Sequence, residues 1–456
     1  MLGLLLEGSS ISDIQKTYLE YSDYAGIVEI QSSVTDLNNP EELISFASSL
    51  RIPAVLVVSK KHEDSSSYEK LCSLIEKACF SYVRSANSHL CTKLSKTFTD
   101  KDIQIIRDVP KEQTEVPQNL YKALKKASEN SCVPHIELDI DSEESLINYY
   151  SYLKHISAFG KKVISYTGTF SNSAAILYRK ADSMYLSCGG QALKTLKTVY
   201  HADRIDASTV VYAAVGNPEN SGLAAIINPG FEPVGMNAVF IPFRTETLKA
   251  FFMIASLLQI NGFSITKPFN REIIPYLGKI SREVTKTGTA NLAVWENRYL
   301  KGMNTDYYGI LNILEKYLDS GEIKNAVVFG CGAAGHSAVW ALRYRHVNVT
   351  ILNRTTDKAR KLAAETMSSW DSLENAAKYT GLADLVIQAT SSTDDFAPDF
   401  KFTGKELVCD LVYNSATSAF MTGAEKAGCR IISGKACLIS QGKLQFEKLT
   451  GFYYPD

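Results

Sequence analysis

The chain up to about residue 190 alternates short apolar runs with amphipathic stretches. Eight apolar runs resemble buried strands: GLLLEG, GIVEIQ, AVLVVS, SYVRS, IQIIRD, PHIELDI, KVISY and SMYLS. Between most of them lie helix-like segments such as NPEELISFASSL, SYEKLCSLIEKAC and SEESLINYYSYLKHI. Strands that alternate with helices predict parallel pairing. This periodicity alone is compatible with an open sheet, but the short spacing of the strands favours a compact (β/α)8 barrel.

A second alternation follows the segment GGQALKTLKTVYHADRIDAST, which has no strong apolar strand and predicts a connector. Strands are predicted at STVVYAAVGNP, NAVFIPF, GFSITKP and ANLAVWENRYLKGMN, followed by the helical stretch YYGILNILEKYL. A sharper strand–helix unit begins at NAVVFGCGAAGHSAVWALRYR. The fold class predicted for the whole chain is therefore α/β.

A glycine-rich turn, GCGAAG, stands between the strand and the helix of that last unit. The pattern GxGxxG is weak alone, but this context is the one that dinucleotide binding requires. Gly330 would permit a tight turn, and Gly332 would let the backbone approach a pyrophosphate. Gly335 would let the helix pack closely on the strand. We therefore predict a Rossmann domain that holds a pyrophosphate at a helix N-terminus.

The next strand, VNVTILNR, decides which dinucleotide is expected. It ends in Asn353, Arg354 and Thr355, where an NAD-binding domain would place an acidic residue on the ribose. Arg354 stands there instead, and a guanidinium group can bind a 2′-phosphate through two parallel hydrogen bonds. The sequence therefore favours NADP over NAD.

Composition excludes several classes of protein. The 456 residues are 45% hydrophobic and 21% charged with a net charge of −1, which argues against a nucleic-acid surface. No stretch approaches the ~20 apolar residues of a membrane span, and MLGLLLEGSS predicts a first strand rather than a signal peptide. The nine cysteines stand singly without metal-ligand spacing. We expect a cytoplasmic protein without a metal site.

Several ordered motifs resemble the shikimate dehydrogenase family. They are VVFGCGAAG followed by ILNRTTDKA, together with GFSITKP, GMNTDYYG, DLVYN and ISQGKLQFEKLTG. The region before them is similar, more faintly, to type I 3-dehydroquinate dehydratase, and both together resemble a fused bifunctional shikimate-pathway enzyme. The resemblance implies a barrel over residues 1–192, a substrate-binding domain over 207–318 plus 437–456, and a Rossmann NADP-binding domain over 321–436.

The resemblance also implies a set of binding residues for a small polyhydroxylated cyclic acid. Hydroxyl, amide and carboxylate groups suit such a ring because each hydroxyl needs a partner when it leaves water. The substrate residues would be Ser221, Thr266, Asn291, Asp306 and Gln441, with Asp306 as the catalytic group. The cofactor residues would be Gly330, Gly332, Ala333, Ala334, Gly335, Asn353, Arg354, Thr355, Thr390 and Tyr413.

The catalytic pattern of the family is incomplete in this chain. Asn270 replaces the family's proton-shuttling lysine, and loss of general acid–base help typically costs about 10²–10⁴ in rate. Lys267 would point to the opposite face if this stretch is extended, and Arg271 stays protonated. Leu223 stands where the family has its second loop serine.

The barrel departs further from the dehydratase pattern. Type I dehydratases form a Schiff base through a lysine, assisted by a histidine. Glu137 holds the lysine position here, and the strand IQIIRDVP lacks the histidine. Without an amine the imine cannot form, so we expect an inactive barrel with Glu63, Glu137 and Gln191 as remnants of a site. His135 is read as a histidine at a strand end rather than as a replacement base.

Two functions are compatible with these residues. The first is an NADP-dependent oxidoreductase acting on shikimate and 3-dehydroshikimate, or on a related cyclic hydroxy acid. The second is a pseudoenzyme that binds or senses a metabolite of this pathway or NADP(H). The missing lysine favours the second function, whereas the intact glycine loop is compatible with both.

Overall fold

The structure, a computed structural model, describes most of the chain. Its residues are 1–64, 66–110, 117–139, 142, 144–145, 147–148, 162–167, 183–206, 208–217, 222–390, 397, 399–411 and 418–455. The chain forms two compact units. The first unit comprises Met1–Val210, Asn237–Ile241 and Lys249–Leu258, and the second comprises Val211–Met236, Pro242–Leu248 and Gln259–Asp456.

The N-terminal region is a closed barrel of eight parallel strands paired in sequence order. The strands are β1 (Leu2–Leu6), β2 (Ile27–Gln31), β3 (Ala54–Val57), β4 (Tyr82–Ser85), β5 (Gln104–Asp108), β6 (Val133–Asp139), β7 (Lys162–Thr167) and β8 (Ser183–Cys188). Strand β8 pairs with β1 through Gly3 and Ser187, which closes the sheet. The predicted strands and the predicted barrel are confirmed, and the open sheet is excluded.

Amphipathic helices accompany the barrel strands. They are α1 (Ile11–Tyr21), α2 (Glu41–Ser49), α3 (Tyr68–Lys77), α4 (Ser88–Thr97), α5 (Pro117–Ala127) and α6 (Gly190–Thr198). The predicted helix SEESLINYYSYLKHI falls largely outside the described residues. The prediction of a connector after β8 is wrong, because α6 begins there and buries Leu193 and Leu196. These two leucines among lysines make an apolar face too narrow to stand out in the sequence.

A six-stranded mixed sheet follows, with strands in the order β10-β9-β11-β13-β14-β12. The strands are β9 (Val210–Gly216), β10 (Ala238–Arg244), β11 (Ile260–Ile265), β12 (Lys279–Ile280), β13 (Leu292–Glu296) and β14 (Tyr299–Met303), and the helices are α7 (Leu223–Ile227), α8 (Leu248–Leu258) and α9 (Arg282–Thr287). The stretch ANLAVWENRYLKGMN is a hairpin rather than the single strand that the sequence predicts. Its turn contains Asn297 at φ +58°, a conformation that asparagine tolerates.

A second six-stranded sheet is parallel throughout, in the order β17-β16-β15-β18-β19-β20. The strands are β15 (Asn325–Phe329), β16 (Asn348–Asn353), β17 (Ser369–Ser372), β18 (Leu385–Gln388), β19 (Leu407–Asp410) and β20 (Arg430–Ile432), and the helices are α10 (Thr305–Asp319), α11 (Ala333–Tyr344), α12 (Thr356–Thr366), α13 (Ala419–Lys426) and α14 (Gly434–Thr450). This strand order reverses between β15 and β18. In such sheets ligands bind beyond the carboxyl ends of the strands at the reversal, and the predicted Rossmann fold is confirmed.

Apolar side chains cover both faces of this parallel sheet. Val328 of β15 belongs to a core that includes Leu342 of α11, whereas the next residue, Phe329, packs on the other face with Phe400 and Phe420. Strand β15 is therefore packed on both faces, and the glycine turn begins directly at its buried end. Among the residues that the structure describes, no helix has the length and apolarity to cross a membrane.

Candidate active site

The glycine turn after β15 requires glycine at two positions. Gly330 has φ +107°, and a Cβ atom there would lie 2.8 Å from the carbonyl oxygen of Ala389. A Cβ atom on Gly335 would lie 2.2 Å from the carbonyl oxygen of Gly330, which no real contact allows. The absence of side chains therefore lets β15 turn directly into α11 beside the end of β18, as the sequence predicts.

Gly332 is different because its missing side chain leaves open space. It is the N-cap of α11 and has no side-chain cap, and a Cβ atom there would meet nothing within 4 Å. The N–H groups in the first turn, including those of Ala333 and Ala334, have no acceptor within the helix. A bare backbone that faces open space at a helix N-terminus is the arrangement that binds phosphate groups.

The end of β16 lies next to this loop in the parallel sheet. Asn353 donates from Nδ2 to the carbonyl oxygen of Thr355 at 2.8 Å, which shapes the turn. Arg354 is exposed and forms no ion pair within the described part of the chain. Its guanidinium group is therefore available to a ligand. Thr390 is half-buried just beyond β18, and Tyr413 falls outside the described residues.

Asp306 is the second residue of α10 and is bonded to Gln441 of α14. The Gln441 side chain donates from Nε2 to Oδ1 of Asp306. Burial raises the pKa of the Asp306 carboxyl group to about 6, although Asn291 acts in the opposite direction. A carboxyl group of this kind exchanges protons near neutral pH, as a general acid or base must.

Asn304 is a further residue of the site, and it is not among the predicted binding or catalytic residues. It is 1% exposed and caps α10 by accepting the N–H of Tyr307 at Oδ1. Its Nδ2 lies 3.0 Å from Oγ1 of Thr287 and 3.0 Å from Oγ of Ser337 in α11. An asparagine directly before a helical stretch is a recognisable cap, but the contact with α11 is not visible in the sequence. This contact brings the helix of Asp306 against the helix of the glycine loop.

Asn291 and Thr266 lie near one another, but their side chains differ in which hydrogen-bonding groups remain unused. Asn291 accepts the Thr305 N–H at Oδ1 at 2.7 Å, while its buried Nδ2 has no hydrogen-bond partner among the described residues. The Thr266 hydroxyl donates to the carbonyl oxygen of Val215 at 2.9 Å and accepts the N–H of Asn217 at 2.9 Å. The Asn291 amide also acts on the Asp306 carboxyl group, whose pKa it lowers, so a ligand that accepts from Nδ2 would lie beside that carboxyl group. Thr266 is committed to the main chain.

The Asn270 side chain is hydrogen-bonded to two backbone segments. Its Nδ2 lies 2.8 Å from the carbonyl oxygen of Ile265 and 3.3 Å from that of Ala290. Residues 267–273 form turns rather than extended chain. The argument that Lys267 points to the opposite face of an extended stretch is therefore wrong. Lys267 is nevertheless exposed. Neither side chain therefore takes the place of a buried proton-shuttling amine.

Arg271 contacts the first turn of α11. Its Nη2 lies 3.2 Å from Nε2 of His336, whose Nδ1 lies 3.1 Å from the carbonyl oxygen of Gly332. Because that carbonyl oxygen can only accept, Nδ1 carries the proton and Nε2 accepts from Arg271. Burial lowers the pKa of His336, which favours this neutral ring.

The remaining predicted residues are distributed as follows. Ser221 lies outside the described residues. In the barrel, Glu63 accepts the hydroxyl of Ser85 at 2.8 Å, Glu137 is half-buried on β6, and Gln191 is exposed on α6. The substrate residues Thr266, Asn291, Asp306 and Gln441 thus lie in neighbouring elements of the second unit.

The C-terminal half is similar in sequence to shikimate dehydrogenases from several organisms. The shikimate dehydrogenase (NADP(+)) of Pyrococcus abyssi is 30% identical over 251 residues, which are 54% of this chain and 94% of the relative. That of Moorella thermoacetica is 32% identical over 267 residues, which are 54% of this chain and 90% of the relative. The chain belongs to the shikimate dehydrogenase family.

Family models and solved structures agree with the shikimate dehydrogenase assignment. The shikimate dehydrogenase substrate binding domain matches residues 215–293, and the shikimate / quinate 5-dehydrogenase model matches residues 312–400. A shikimate dehydrogenase crystallised with NADP+ is similar with a TM-score of 0.51 and 29% identity, over 55% of this chain and 92% of that one. The shikimate dehydrogenase from Aquifex aeolicus has a TM-score of 0.50 and 26% identity, over 55% and 96%.

We expect the substitution Gly332→Ala to weaken NADPH binding while the fold stays intact. The added methyl group meets no protein atom within 4 Å. It would occupy the open space in which the pyrophosphate is expected to approach the loop. A loss of about tenfold or more in affinity, roughly 1.4 kcal/mol, should appear in calorimetric titration. Gly189→Ala is the matched control, because it also changes a helix N-cap with open space around it. Unchanged NADPH binding by Gly332→Ala, or an equal loss in both variants, contradicts the assignment of the loop.

Proposed function

We propose that the C-terminal half is an NADP-dependent dehydrogenase that interconverts shikimate and 3-dehydroshikimate or a related cyclic hydroxy acid. The observation that carries this proposal is the bond of Asn304 to Ser337 in the glycine-loop helix. Because Asp306 follows two residues later at the same helix start, its carboxyl group would lie near the dinucleotide loop and would handle the proton there. The relatives named for this activity are matched over the same half of the chain.

The residues at the loop fit NADP. The open space at Gly332 would take the pyrophosphate, and the dipole of α11 favours its negative charge. Arg354, exposed at the end of the neighbouring strand, would pair with the 2′-phosphate. When bound, NADP+ supplies the hydride acceptor for oxidation of an alcohol.

The residues around Asp306 suit a ring with several hydroxyl groups. The buried Nδ2 of Asn291 has no partner within the described chain, and a buried unsatisfied donor costs about 1–3 kcal/mol. A substrate hydroxyl would accept from it and remove this cost. Gln441 already donates to Asp306 and would hold the carboxyl group towards the same ligand. Thr266 would shape the loop rather than bind the ring.

Asp306 is the proton-handling residue of this proposal. Oxidation of an alcohol to a ketone removes a proton from the oxygen, and the Asp306 carboxylate accepts it. In the reverse direction the protonated carboxyl group returns the proton. Because burial raises the pKa of Asp306 to about 6, both forms are populated near neutral pH. The position of the missing lysine supplies no proton, since the Asn270 amide donates to two carbonyl oxygens.

A second candidate is a protein that binds NADP(H) or the cyclic acid without turnover. The observation that favours it is the same amide of Asn270, which is held by the backbone and cannot exchange a proton at neutral pH. If Asp306 cannot act without an amine nearby, the site would retain binding and lose catalysis.

We expect NADP+ and shikimate to yield NADPH with the purified protein, measured by absorbance. The oxidation rate should rise with pH through about 6 and then level, because the carboxylate of Asp306 is the base. The reduction rate should fall as pH rises through the same value, because the protonated acid is required. Asp306→Asn should lower kcat by about 10²–10⁴ and remove both dependences.

Asp319→Asn is the matched control, since Asp319 lies at the exposed far end of the same helix. It should change neither the rate nor its pH dependence. A thermal shift caused by shikimate without turnover contradicts the enzyme and supports the binding protein. Turnover gained only by Asn270→Lys identifies the amine as the missing part and also contradicts catalysis by Asp306 alone.

We expect Arg354→Ala to raise KM for NADP+ by about 10–100-fold, because a hydrogen-bonded charge pair contributes about 1.5–3 kcal/mol. KM for NAD+ should stay unchanged, since NAD+ has no 2′-phosphate. Steady-state kinetics with both cofactors measures the difference. Arg360→Ala, which removes an exposed arginine paired with Asp357 on the following helix, should change neither KM. A parallel rise for both cofactors would refute the role given to Arg354.

The barrel is proposed to lack dehydratase activity. Glu137, at the position that resembles the Schiff-base lysine, lies half-buried on β6, and a carboxyl group cannot form an imine. Gln191 is exposed on α6, and Glu63 is bonded to Ser85. The barrel would therefore keep a dehydratase-like layout without the amine that the dehydratase reaction needs.

The purified protein should not dehydrate 3-dehydroquinate, because no amine stands at the position of Glu137. Appearance of the enone product is followed by absorbance, with an active type I dehydratase as the positive control. Borohydride treatment in the presence of 3-dehydroquinate should leave the mass of the chain unchanged. Measurable turnover, or a reduced covalent adduct, would show that another amine serves the barrel.

A further inference from the structure

A layer of polar side chains lies inside the barrel, where branched apolar residues usually pack. Apolar packing is present as well, in a cluster formed by Ile27, Val55, Val57, Ile106, Val133, Val163 and Tyr185. The polar layer consists of Glu29, Arg84, Asp108, His135, Ser165 and the hydroxyl of Tyr185. Each of these residues comes from a different strand, so closure of the barrel alone brings them together.

Arg84 holds two carboxylates of this layer. Its Nη1 lies 3.0 Å from Oε2 of Glu29, and its Nε lies 2.8 Å from Oδ1 of Asp108. The Tyr185 hydroxyl donates to Oε1 of Glu29 at 2.6 Å. Burial alone would raise the pKa of Asp108, but the hydrogen bond from His135, together with the charge and the hydrogen bond of Arg84, holds it well below its usual range. Asp108 is therefore an ionised acceptor next to His135.

His135 connects Asp108 to Ser165. Its Nδ1 lies 2.8 Å from Oδ1 of Asp108, and its Nε2 lies 2.9 Å from Oγ of Ser165. Because an ionised carboxylate can only accept, Nδ1 carries the proton. In the neutral ring Nε2 is then an acceptor, and the Ser165 hydroxyl donates to it. This order of hydroxyl, imidazole and carboxylate is the one that activates a serine nucleophile.

Stability alone does not explain these contacts. A buried ion pair is often no more stabilising than apolar side chains of the same volume, because both charges lose their hydration. Asp108 ends β5 and its side chain is 23% exposed, and Ser165 is half-buried, whereas His135 between them is 2% exposed. Barrels of this type bind substrates at the carboxyl ends of their strands. The Asp108 carboxylate therefore lies at the end of the barrel where a ligand enters, and the Ser165 hydroxyl lies two residues before the end of β7.

We propose that Ser165 is a nucleophile for acyl transfer, with His135 as its general base and Asp108 as the residue that orients the imidazole. The substrate class is a small uncharged carboxylic ester. Among the described residues of this layer, the two carboxylates of Glu29 and Asp108 face one guanidinium group, that of Arg84. The layer therefore has one negative charge in excess as long as the His135 ring is neutral. An anionic acyl group is therefore repelled.

The reaction balances without a redox partner. Oγ of Ser165 forms a bond to the carbonyl carbon as its proton passes to Nε2 of His135. The bond to the alkoxy oxygen then breaks, and the alcohol leaves with that proton. Water attacks the acyl–serine carbonyl in the same way, His135 returns the water proton to Oγ, and the carboxylic acid is released.

The test uses the full-length protein with a small alkyl fluorophosphonate and with p-nitrophenyl acetate. The fluorophosphonate should form a phosphonyl adduct on Ser165 with loss of fluoride, located by mass spectrometry of a digest. Hydrolysis of p-nitrophenyl acetate should depend on the same residue. Ser165→Ala should abolish both signals, and His135→Gln should slow both by about 10²–10⁴-fold through loss of the general base.

Ser187→Ala is the matched control. Ser187 lies in register with Ser165 on β8 and is 5% exposed, and it has no hydrogen bond to His135 in the described structure. Its removal deletes a neighbouring hydroxyl and should leave adduct formation unchanged. The wild-type chain unfolded in urea should form no Ser165 adduct, because the three residues meet only in the folded barrel. This comparison does not depend on any variant folding.

Three results would overturn the proposal. They are absence of a Ser165 adduct on the folded wild-type chain, adduct formation that survives unfolding, and equal ester hydrolysis by wild type and a folded Ser165→Ala. Circular dichroism establishes that each sample is folded before it is scored. With any of these results the contacts among Asp108, His135 and Ser165 are structural only.

Discussion

The buried amide of Asn304 is the interaction on which the dehydrogenase site depends. Its nitrogen bonds to Thr287 and to Ser337, and its oxygen caps α10 through Tyr307. Leaving this amide buried without partners would cost about 1–3 kcal/mol. The three elements therefore meet around it, and one side chain both caps the helix that carries Asp306 and links it to the helix that follows the glycine loop.

The surroundings of two aspartates shift the pKa of their carboxyl groups in opposite directions in the two halves of the chain. At Asp306, burial raises the pKa of the carboxyl group to about 6, and no basic partner is found for it among the described residues, which suits a group that gives and takes protons. At Asp108, Arg84 and His135 hold the pKa of the carboxyl group low, which suits a fixed acceptor that orients a neighbour. The same residue type therefore favours different protonation states in the two surroundings.

Local sequence predicts the elements of this protein well. The barrel strands and the unit β15–α11 follow from apolar runs and from the glycine spacing, because each depends on residues within one short window. The need for glycine at position 335 follows from the same short window, because its close contact is Gly330, whereas the close contact of Gly330 is Ala389, at the end of a strand distant in the sequence. The helix Gly190–Thr198 is not predicted from the sequence, because its buried face has only two leucines.

Side-chain partners distant in the chain are decided by the tertiary structure alone. The sequence identifies Asn270 as a substitution, but only the fold shows that its amide is held by the carbonyl oxygens of Ile265 and Ala290. Likewise the sequence treats His135 as a histidine at a strand end, whereas the closed barrel sets it between Asp108 and Ser165. Strand periodicity determines which residues face inward. The strand pairing and the closure of the sheet determine which of those residues touch, because hydrogen bonds act over about 3 Å and require both partners in place.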